Sequence, residues 1–288
     1  MKKIVKKTPA KLNLTLDVLG QKDGYHELNS LVTSVDLYNT VTVNKRTDGK
    51  ITLTSKGNPI DCEPQKTNAF KAASLFMQTF PTEGADIVID RKIPVAGGLG
   101  CSSADIAGVL LALKELYQVE KDVSSLASAL GSDAAYMVKG GYAIMSGRGE
   151  KVRGIDCEKE FFLLIITSTA GILAKDCFDR FDKMGKKQTA TTKQAERALL
   201  TDDYELFFNL VKNDLGKPAE EIVPEITFNM QCLKKAGAES VAVAGSGPTV
   251  FGLFKNEKER DNGFKKLKRL FGKSLIKAKT IPFMKDKR

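Results

Sequence analysis

Apolar and polar positions along the chain follow two periods, which predict two kinds of element. Residues 11–18 alternate strictly between apolar and polar side chains, and residues 85–93 do so with exceptions, which is the period of a strand. Shorter alternations of the same kind fill residues 31–60. Residues 68–80 and 106–117 instead carry apolar side chains every three or four positions, which predicts helices that bury one face. The first half of the chain is therefore predicted to mix strands with helices.

The succession of strand-like and helix-like periods begins again near residue 157. A continuous apolar run follows at residues 161–166 and predicts a buried strand. A hairpin is predicted over residues 140–152, before the restart. Further elements are predicted beyond it: helices at 193–200, 204–211, 226–236 and 257–271, and strands at 240–244, 249–254 and 274–280. We therefore predict two domains, residues 1–156 and 157–288, with the second forming an α/β layer of ferredoxin-like type.

A glycine-rich segment, Pro-Val-Ala-Gly-Gly-Leu-Gly-Cys-Ser-Ser-Ala-Asp at residues 94–105, lies between a predicted strand and a predicted helix. Its backbone can turn sharply and direct N–H groups inward. Ser102 and Ser103 are candidate N-caps of the helix. The alternative is a plain tight turn. Because the amides and dipole at a helix N-terminus favour negative charge, the pattern favours a phosphate site. Neither the Walker loop nor the protein-kinase signature is present.

Composition changes this picture little. The 288 residues are 42% hydrophobic and 28% charged, as in globular proteins, and contain no apolar run long enough for a transmembrane helix. The five cysteines are scattered, without the spacing of a zinc site or a disulfide framework. We expect reduced thiols in a cytoplasmic protein with no membrane partner.

The net charge of +10 suggests nucleic acid as a possible partner. Residues 265–269 read Lys-Lys-Leu-Lys-Arg, but apolar residues interleave with them at helical spacing and acidic residues are interspersed. This arrangement favours a solvated helix face over an RNA-binding patch. A basic protein also suits a polyanionic substrate.

Three places carry candidate chemistry outside the glycine-rich segment. Lys11 and Asn13 lie about 7 Å apart on one face of a strand, a good spacing for holding a substrate. Tyr25 and His26 follow an Asp-Gly turn, and His26 is the single histidine, which is more often structural than catalytic. Asp133 is a further candidate, although either Ser132 or Asp133 could simply cap a short helix that runs to residue 138.

The glycine-rich segment resembles P-x-x-x-G-L-x-S-S-A, the ATP loop of the GHMP small-molecule kinases. Residues 130–136, Leu-Gly-Ser-Asp-Ala-Ala-Tyr, resemble the superfamily's stretch around a catalytic aspartate, and residues 140–150 and 245–251 resemble two further glycine motifs. Residues 9–14 together with 23–26 are similar to the erythritol kinases of this superfamily, whose substrate is a cytidyl-linked methylerythritol. The resemblance spans almost the whole chain.

This resemblance implies an α+β GHMP kinase fold, with a ribosomal-protein-like N-terminal domain and a ferredoxin-like C-terminal domain. It also implies ATP-dependent phosphorylation of the substrate's 2-hydroxyl in the non-mevalonate isoprenoid route. Lys11 would stabilise charge on the transferring group, and Asp133 would accept the proton. The implied ATP-binding residues are Asn68, Pro94, Val95, Ala96, Gly97, Gly98, Leu99, Gly100, Cys101, Ser102 and Ser103. The implied substrate-binding residues are Asn13, Asp23, Tyr25, His26, Phe178, Gly245, Ser246 and Gly247. Mg²⁺ is expected near Ser102 or Ser103, with its ligands left open.

Two departures keep alternatives open. The erythritol kinases usually have a glycine loop one residue longer, and residues 135–136 are Ala-Tyr where Pro and an apolar residue are usual. The shorter loop favours a paralogous GHMP kinase that acts on another small alcohol. An RNA-binding protein is the alternative of another class, although Lys11 and Asp133 count against it. The expected partner is a cytidyl-linked small molecule, bound by a monomer or a homodimer.

Overall fold

A computed structural model describes residues 3–185 and 190–282. Its helices are α1 (Asn68–Thr79), α2 (Cys101–Leu116), α3 (Ser124–Leu130), α4 (Ala134–Lys139), α5 (Ala174–Lys183), α6 (Thr192–Leu200), α7 (Tyr204–Leu210), α8 (Gly216–Ile222), α9 (Glu225–Ala236) and α10 (Glu257–Phe271). Its strands are β1 (Lys3–Asn13), β2 (Thr15–Lys22), β3 (Tyr25–Lys45), β4 (Ile51–Gly57), β5 (Ala85–Arg91), β6 (Tyr142–Gly147), β7 (Lys151–Ile155), β8 (Phe162–Ile166), β9 (Lys212–Asn213), β10 (Ser240–Val243), β11 (Val250–Phe254) and β12 (Leu275–Ile281).

The described chain forms two compact units, each assembled from several segments. The first unit contains residues 3–10, Leu37–Val95 and Gly100–Gly140. The second contains Lys11–Asp36, Ala96–Leu99 and the described residues from Gly141 onward. The predicted division of the chain between residues 156 and 157 stays a prediction.

In the first unit, β5 pairs antiparallel with the second half of β3 and parallel with β4. Helices α1 and α2 pack together, and their apolar faces join the strands in one core that includes Phe76, Ile87 and Leu110. Helix α2 comes so close to the strands that a Cβ on Gly108 would lie 2.5 Å from Val41 Cγ2. Burying apolar side chains in this way, at roughly 1.5–3 kcal/mol each, anchors the helix that follows the glycine-rich segment.

The second unit is built on a mostly antiparallel sheet in the order β10-β11-β8-β12-β3-β2-β9, with β6 on β3 and β7 on β6. Helices α9 and α10 pack on β8, β11 and β12. The core between these helices and strands includes Leu164, Leu233, Phe254 and Leu267. Along α10, Leu267 is buried while Lys265, Lys266, Lys268 and Arg269 are exposed, as expected of a solvated helix face.

An exposed polar strand face, one of the two interpretations of residues 11–18, is not what the structure shows. Strand β1 ends at Asn13, β2 begins at Thr15, and Lys11, Asn13, Thr15 and Asp17 are all buried. They are tolerated inside because they hydrogen-bond to one another or to nearby groups: Thr15 Oγ1, for example, accepts from Leu31 N at 3.0 Å. Alternation alone could not reveal this, because it looks the same whether the polar face meets water or polar partners.

The predicted serine caps of the glycine-rich helix were also wrong. Helix α2 begins at Cys101, and its N-cap is Gly100 in the left-handed conformation, with φ of 77° and no side-chain cap. Ser102 and Ser103 therefore lie in the first turn. Similarly, α1 is capped by Thr67, whose side chain accepts from Phe70 N, and Asn68 is its first helical residue.

Helices α3, α5 and α8 were not predicted. No helix within residues 3–185 and 190–282 is long and apolar enough to cross a bilayer.

Candidate functional site

Lys11 and Asn13 stand together at the end of β1, in the second unit. Lys11 Nζ donates to Asn13 Oδ1 at 2.6 Å, and Asn13 Nδ2 donates to Ser30 Oγ at 2.7 Å. Ser30 Oγ in turn donates to the Thr15 carbonyl oxygen at 2.6 Å. Only 5% of Lys11 and of Asn13 is exposed. Because a buried ammonium needs partners, this chain of hydrogen bonds holds the amine in one orientation.

Residues Ala96–Leu99 lie directly against two other predicted site segments in the same unit. The Leu99 carbonyl oxygen accepts from Lys11 N at 3.0 Å. Gly98 has φ of 77°, and a Cβ placed on it would lie only 1.8 Å from the Ala244 carbonyl oxygen. Only glycine therefore allows this approach. The glycine content of the sequence predicted a sharp turn here.

The predicted loop Gly245–Gly247 lies beside both groups. A Cβ on Gly245 would meet Gly98 O at 3.1 Å and Lys11 Nζ at 3.5 Å. Asn213 Nδ2 holds this loop, since it donates to Val243 O at 2.8 Å and to Gly245 O at 2.6 Å. The second unit thus brings together three segments that lie far apart in sequence: 11–13, 96–99 and 245–247. Asn213 was missed, and no motif in the sequence pointed to it.

The predicted substrate residues Asp23, Tyr25, His26 and Phe178 lie around the β2–β3 hairpin, also in the second unit. Asp23 and Gly24 form the predicted turn, with φ of 52° and 77°. The His26 ring stacks on Phe178, with centroids 4.5 Å apart and planes 19° apart. Tyr25 is 57% exposed and contacts a different group, the Arg148 guanidinium, whose Cζ lies 4.6 Å from the ring centroid. Neighbouring strand residues point to opposite faces, so the two rings do not form one stack.

The sequence missed two polar partners of His26. Its Nε2 lies 2.9 Å from Asp182 Oδ1 and 3.1 Å from Gln21 Nε2. Gln21 Nε2 also donates to Asp182 Oδ2 at 2.9 Å. Asp182 lies in α5 one turn after Phe178, so one face of this helix presents a ring and a carboxylate to the same imidazole. The signal that could have pointed to Asp182 is its four-residue spacing from Phe178, in a helix that was not predicted.

In the first unit, the start of α2 has the features of an anion site. A positive φ of 77° at Gly100 turns the chain just before the helix begins. The first-turn N–H groups of any α-helix have no intrahelical acceptor. Asn68 Nδ2 donates to Ser102 Oγ at 3.0 Å, so the predicted asparagine reaches this turn from α1. Pro94 and Val95 lead into the turn from β5.

A buried polar network lies behind this turn. Asn39 Nδ2 donates to Asp105 Oδ1 at 2.8 Å, and Arg91 Nε donates to Asp105 Oδ2 at 2.6 Å. All three residues are almost completely buried. Burial, assisted by the Asp105 charge, raises the pKa of the Cys101 thiol to about 12, so this thiol stays protonated. No motif or periodicity in the sequence pointed to Asn39 or Arg91.

Asp133 is the N-cap residue of α4 in the first unit, as one of the two interpretations proposed. Its side chain nevertheless makes no capping hydrogen bond, while its carbonyl oxygen accepts from Met137 N. The residue is half-buried. Asp133 therefore stands at the N-cap position of α4, but its carboxylate does not cap the helix.

Comparison with known proteins identifies the family. Residues 68–147 match the GHMP kinases N terminal domain, and residues 195–273 match the GHMP kinases C terminal domain. The chain is 34% identical to 4-diphosphocytidyl-2-C-methyl-D-erythritol kinase of Shouchella clausii, over 87% of this chain and 86% of that relative. It is 32% identical to the enzyme of the same name from Brevibacillus brevis, over 87% of each chain.

Solved structures agree with this result. The crystal structure of a 4-(cytidine 5'-diphospho)-2C-methyl-D-erythritol kinase superposes with a TM-score of 0.82 at 26% identity, over 96% of this chain and 99% of that one. Mevalonate kinase of L. major superposes with a TM-score of 0.76 at 16% identity, over 97% of this chain and 96% of that one. The second likeness shows a shared fold only.

The predicted superfamily and α+β fold are confirmed by these matches. The enzyme class is confirmed as well, which sets aside the RNA-binding alternative. ATP is the co-substrate of such kinases, and the ATP-binding and substrate-binding residues assigned above stay predictions. The chain belongs to the 4-diphosphocytidyl-2-C-methyl-D-erythritol kinase family of the GHMP kinases and is an ATP-dependent small-molecule kinase.

Proposed function

We propose that this kinase transfers the γ-phosphoryl group of ATP to the 2-hydroxyl of 4-diphosphocytidyl-2-C-methyl-D-erythritol, in the non-mevalonate route to isoprenoid precursors. The observation that carries the proposal is the meeting of residues 11–13, 96–99 and 245–247, which surrounds a buried ammonium with glycine backbone. Backbone amides that approach closely and a positive charge held in place both favour the binding of a nucleotide phosphate. The names of the relatives supply the acceptor.

In the proposed reaction, the acceptor oxygen bonds to the γ-phosphorus while the bond to the β,γ-bridging oxygen breaks and ADP leaves. Such transition states are loose, so positioning and charge neutralisation supply most of the acceleration. Lys11 stabilises charge on the transferring group, and Asn13 orients the Lys11 amine. Residues 94–103 bind the phosphates.

Asp133 orients the acceptor hydroxyl and accepts its proton. A carboxylate is a weak base for an alcohol, because its usual pKa is about 4. Proton transfer is therefore late, after the oxygen–phosphorus bond has begun to form. The hydroxyl proton ends on the Asp133 carboxylate as phosphoryl transfer completes.

Mg²⁺ is proposed beside Ser102 or Ser103. Among residues 3–185 and 190–282 no group of three His, Cys, Asp or Glu side chains could hold a metal alone. Mg²⁺ commonly needs few protein ligands when phosphates supply the others, and Ser102 Oγ retains an acceptor lone pair beside the one that meets Asn68. When bound, the ion would neutralise charge on the phosphate oxygens.

The cytidyl group is proposed to bind at the β2–β3 hairpin. His26 and Phe178 form a flat apolar surface there, and Asp182 adds a hydrogen-bond acceptor. Tyr25 offers an exposed ring on the other side of the strand. Aromatic faces next to a few polar groups are well suited to a nucleobase. Ser246 and the glycines around it are proposed to contact the erythritol part.

A coupled ADP-release assay with purified enzyme tests the substrate. We expect kcat/KM for the cytidyl-linked substrate to exceed that for homoserine, mevalonate or galactose by about a hundredfold or more, because the base-binding groups recognise only the first. The shorter glycine loop favours a second candidate function, the phosphorylation of another small alcohol. A preference for any of the other three alcohols would support that candidate and overturn the proposal.

A further inference from the structure

We propose that Asn39, at the middle of β3, is a positioning residue for ATP because it ties together the two ends of the glycine-rich segment. Asn39 is fully buried in the first unit and has no place in the motifs of the sequence. The inference rests on the proposed role of residues 94–103 in binding phosphate. The partners of Asn39 all belong to the first unit: two lie just before Pro94 and two lie at the start of α2.

The Asn39 side chain holds the entry to the segment through its oxygen. Asn39 Oδ1 accepts from Lys92 N at 3.0 Å and from Ile93 N at 2.9 Å, the two residues just before Pro94. Two backbone N–H groups can only donate, so the atom that faces them must be the amide oxygen. The orientation of the amide is thereby determined.

The same side chain holds the exit through its nitrogen. Asn39 Nδ2 donates to Asp105 Oδ1 at 2.8 Å and lies 3.5 Å from Cys101 Sγ. Cys101 is the first residue of α2, and Asp105 lies one turn later. An amide has two donor hydrogens and two acceptor lone pairs. Asn39 therefore uses its whole hydrogen-bonding capacity on two residues just before the segment and two residues at the start of α2.

The polar network is not needed for the stability of this core. Arg91 and Asp105 form an ion pair that is almost completely buried, and Arg91 Nη2 has no hydrogen-bond partner among the described residues. Apolar side chains of similar volume would often be as stable as such a pair. What the polar network adds is geometry: it defines the distance and direction between the end of β5 and the start of α2. The amides that receive phosphate depend on that geometry.

Replacing Asn39 by Asp tests the inference with minimal change in shape. Asn39→Asp keeps the bonds to Lys92 N and Ile93 N but places a carboxylate oxygen against Asp105. The repulsion should move the start of α2 and weaken binding of a non-hydrolysable ATP analogue about tenfold, measured by calorimetry. The KM for ATP should rise similarly, while the KM for the acceptor alcohol stays unchanged.

A reciprocal exchange supplies the rescue. In Asn39→Asp combined with Asp105→Asn, one carboxylate and one amide again face each other, so we expect Kd for the analogue within about threefold of wild type. Thr280→Val is the matched control in the second unit. It removes a buried hydroxyl that accepts from Tyr142 Oη and Phe161 N, both at 2.8 Å, and should lower Tm without changing Kd.

A folded Asn39→Asp variant that binds the analogue as wild type does would overturn the inference. A double variant no better than the single one would overturn it too. If Asn39→Asp does not fold, Asn39→Ser, which loses the bond to Asp105 without adding charge, must show the same loss of affinity. Failure of the proposed function looks different: wild-type protein itself would not bind the analogue.

Discussion

The imidazole of His26 lies flat against the phenyl ring of Phe178, with ring centroids 4.5 Å apart, although the two residues belong to different elements of the second unit. Asp182, one turn further along the same helix, contacts the edge of the imidazole. The histidine is therefore fixed in position by a stacking contact and by a carboxylate. Under the proposed function, this arrangement predicts which variants lose affinity for the cytidyl group.

Phe178→Ala should raise the KM for the cytidyl-linked substrate about threefold to tenfold, with little change in kcat. An aromatic pair contributes roughly 0.5–1.5 kcal/mol beyond the area it buries. Steady-state ADP release measures both constants. Phe228→Ala is the control, because Phe228 is an exposed aromatic residue in α9 of the same unit. Equal KM values for the Phe178 variant and wild type would remove the ring from the base-binding site.

Gly98→Ala should abolish ATP binding and lower Tm. The added Cβ would lie 1.8 Å from the Ala244 carbonyl oxygen, in a backbone conformation that alanine adopts poorly. Gly154→Ala is the matched control, since nothing lies within 4 Å of a Cβ there. Calorimetric titration with an ATP analogue and thermal unfolding measure the two effects. Normal ATP binding by the Gly98 variant would contradict the proposed role of the segment.

Asp133→Asn should reduce kcat by about a hundredfold or more while ATP still binds, because the amide cannot accept the hydroxyl proton. The fold should be retained, since asparagine has nearly the same shape and the Asp133 side chain makes no capping hydrogen bond that could be lost. Single-turnover phosphoryl transfer measures the chemical step, and circular dichroism checks the fold. Nearly unchanged turnover would exclude Asp133 as the base.

Acid should destabilise the protein in part through Asp17. Burial alone would raise the pKa of Asp17, but hydrogen bonds from Thr191 Oγ1 (2.6 Å) and Thr192 N (2.8 Å) outweigh burial and lower the pKa below the usual 3.8. A lowered folded-state pKa means that this contribution is complete above about pH 4 and is lost as pH falls through the folded-state value.

Asp17→Asn should therefore reduce the free energy of unfolding by about 1–3 kcal/mol at pH 7, the usual contribution of hydrogen bonds to a charged group. The difference from wild type should shrink below pH 4. Urea titrations at several pH values measure it. Asp122→Asn is the control, since that carboxylate is on the surface and accepts from Ser124 N and Oγ. A difference that does not depend on pH would show that the Asp17 charge is not involved.

The sequence alone was enough for the superfamily, the α+β class and most elements, because these depend on local patterns. The period of apolar residues located α1, α10 and β8 within a residue or two. The glycine motifs predicted a sharp backbone turn before α2 and a turn at Asp23–Gly24. Each of these features is decided by residues adjacent in sequence, so it can be read from them.

Contacts between distant segments were decided only by the tertiary structure. Lys11 could have been a residue on an open strand face, yet it is buried against Asn13, the Leu99 backbone and Gly245. Asn39 and Asn213 carry no local signal, because the partners of their side chains lie far along the chain. A polar residue has the same appearance in a sequence whether it meets water or a buried partner, and only the folded chain determines which of the two it meets.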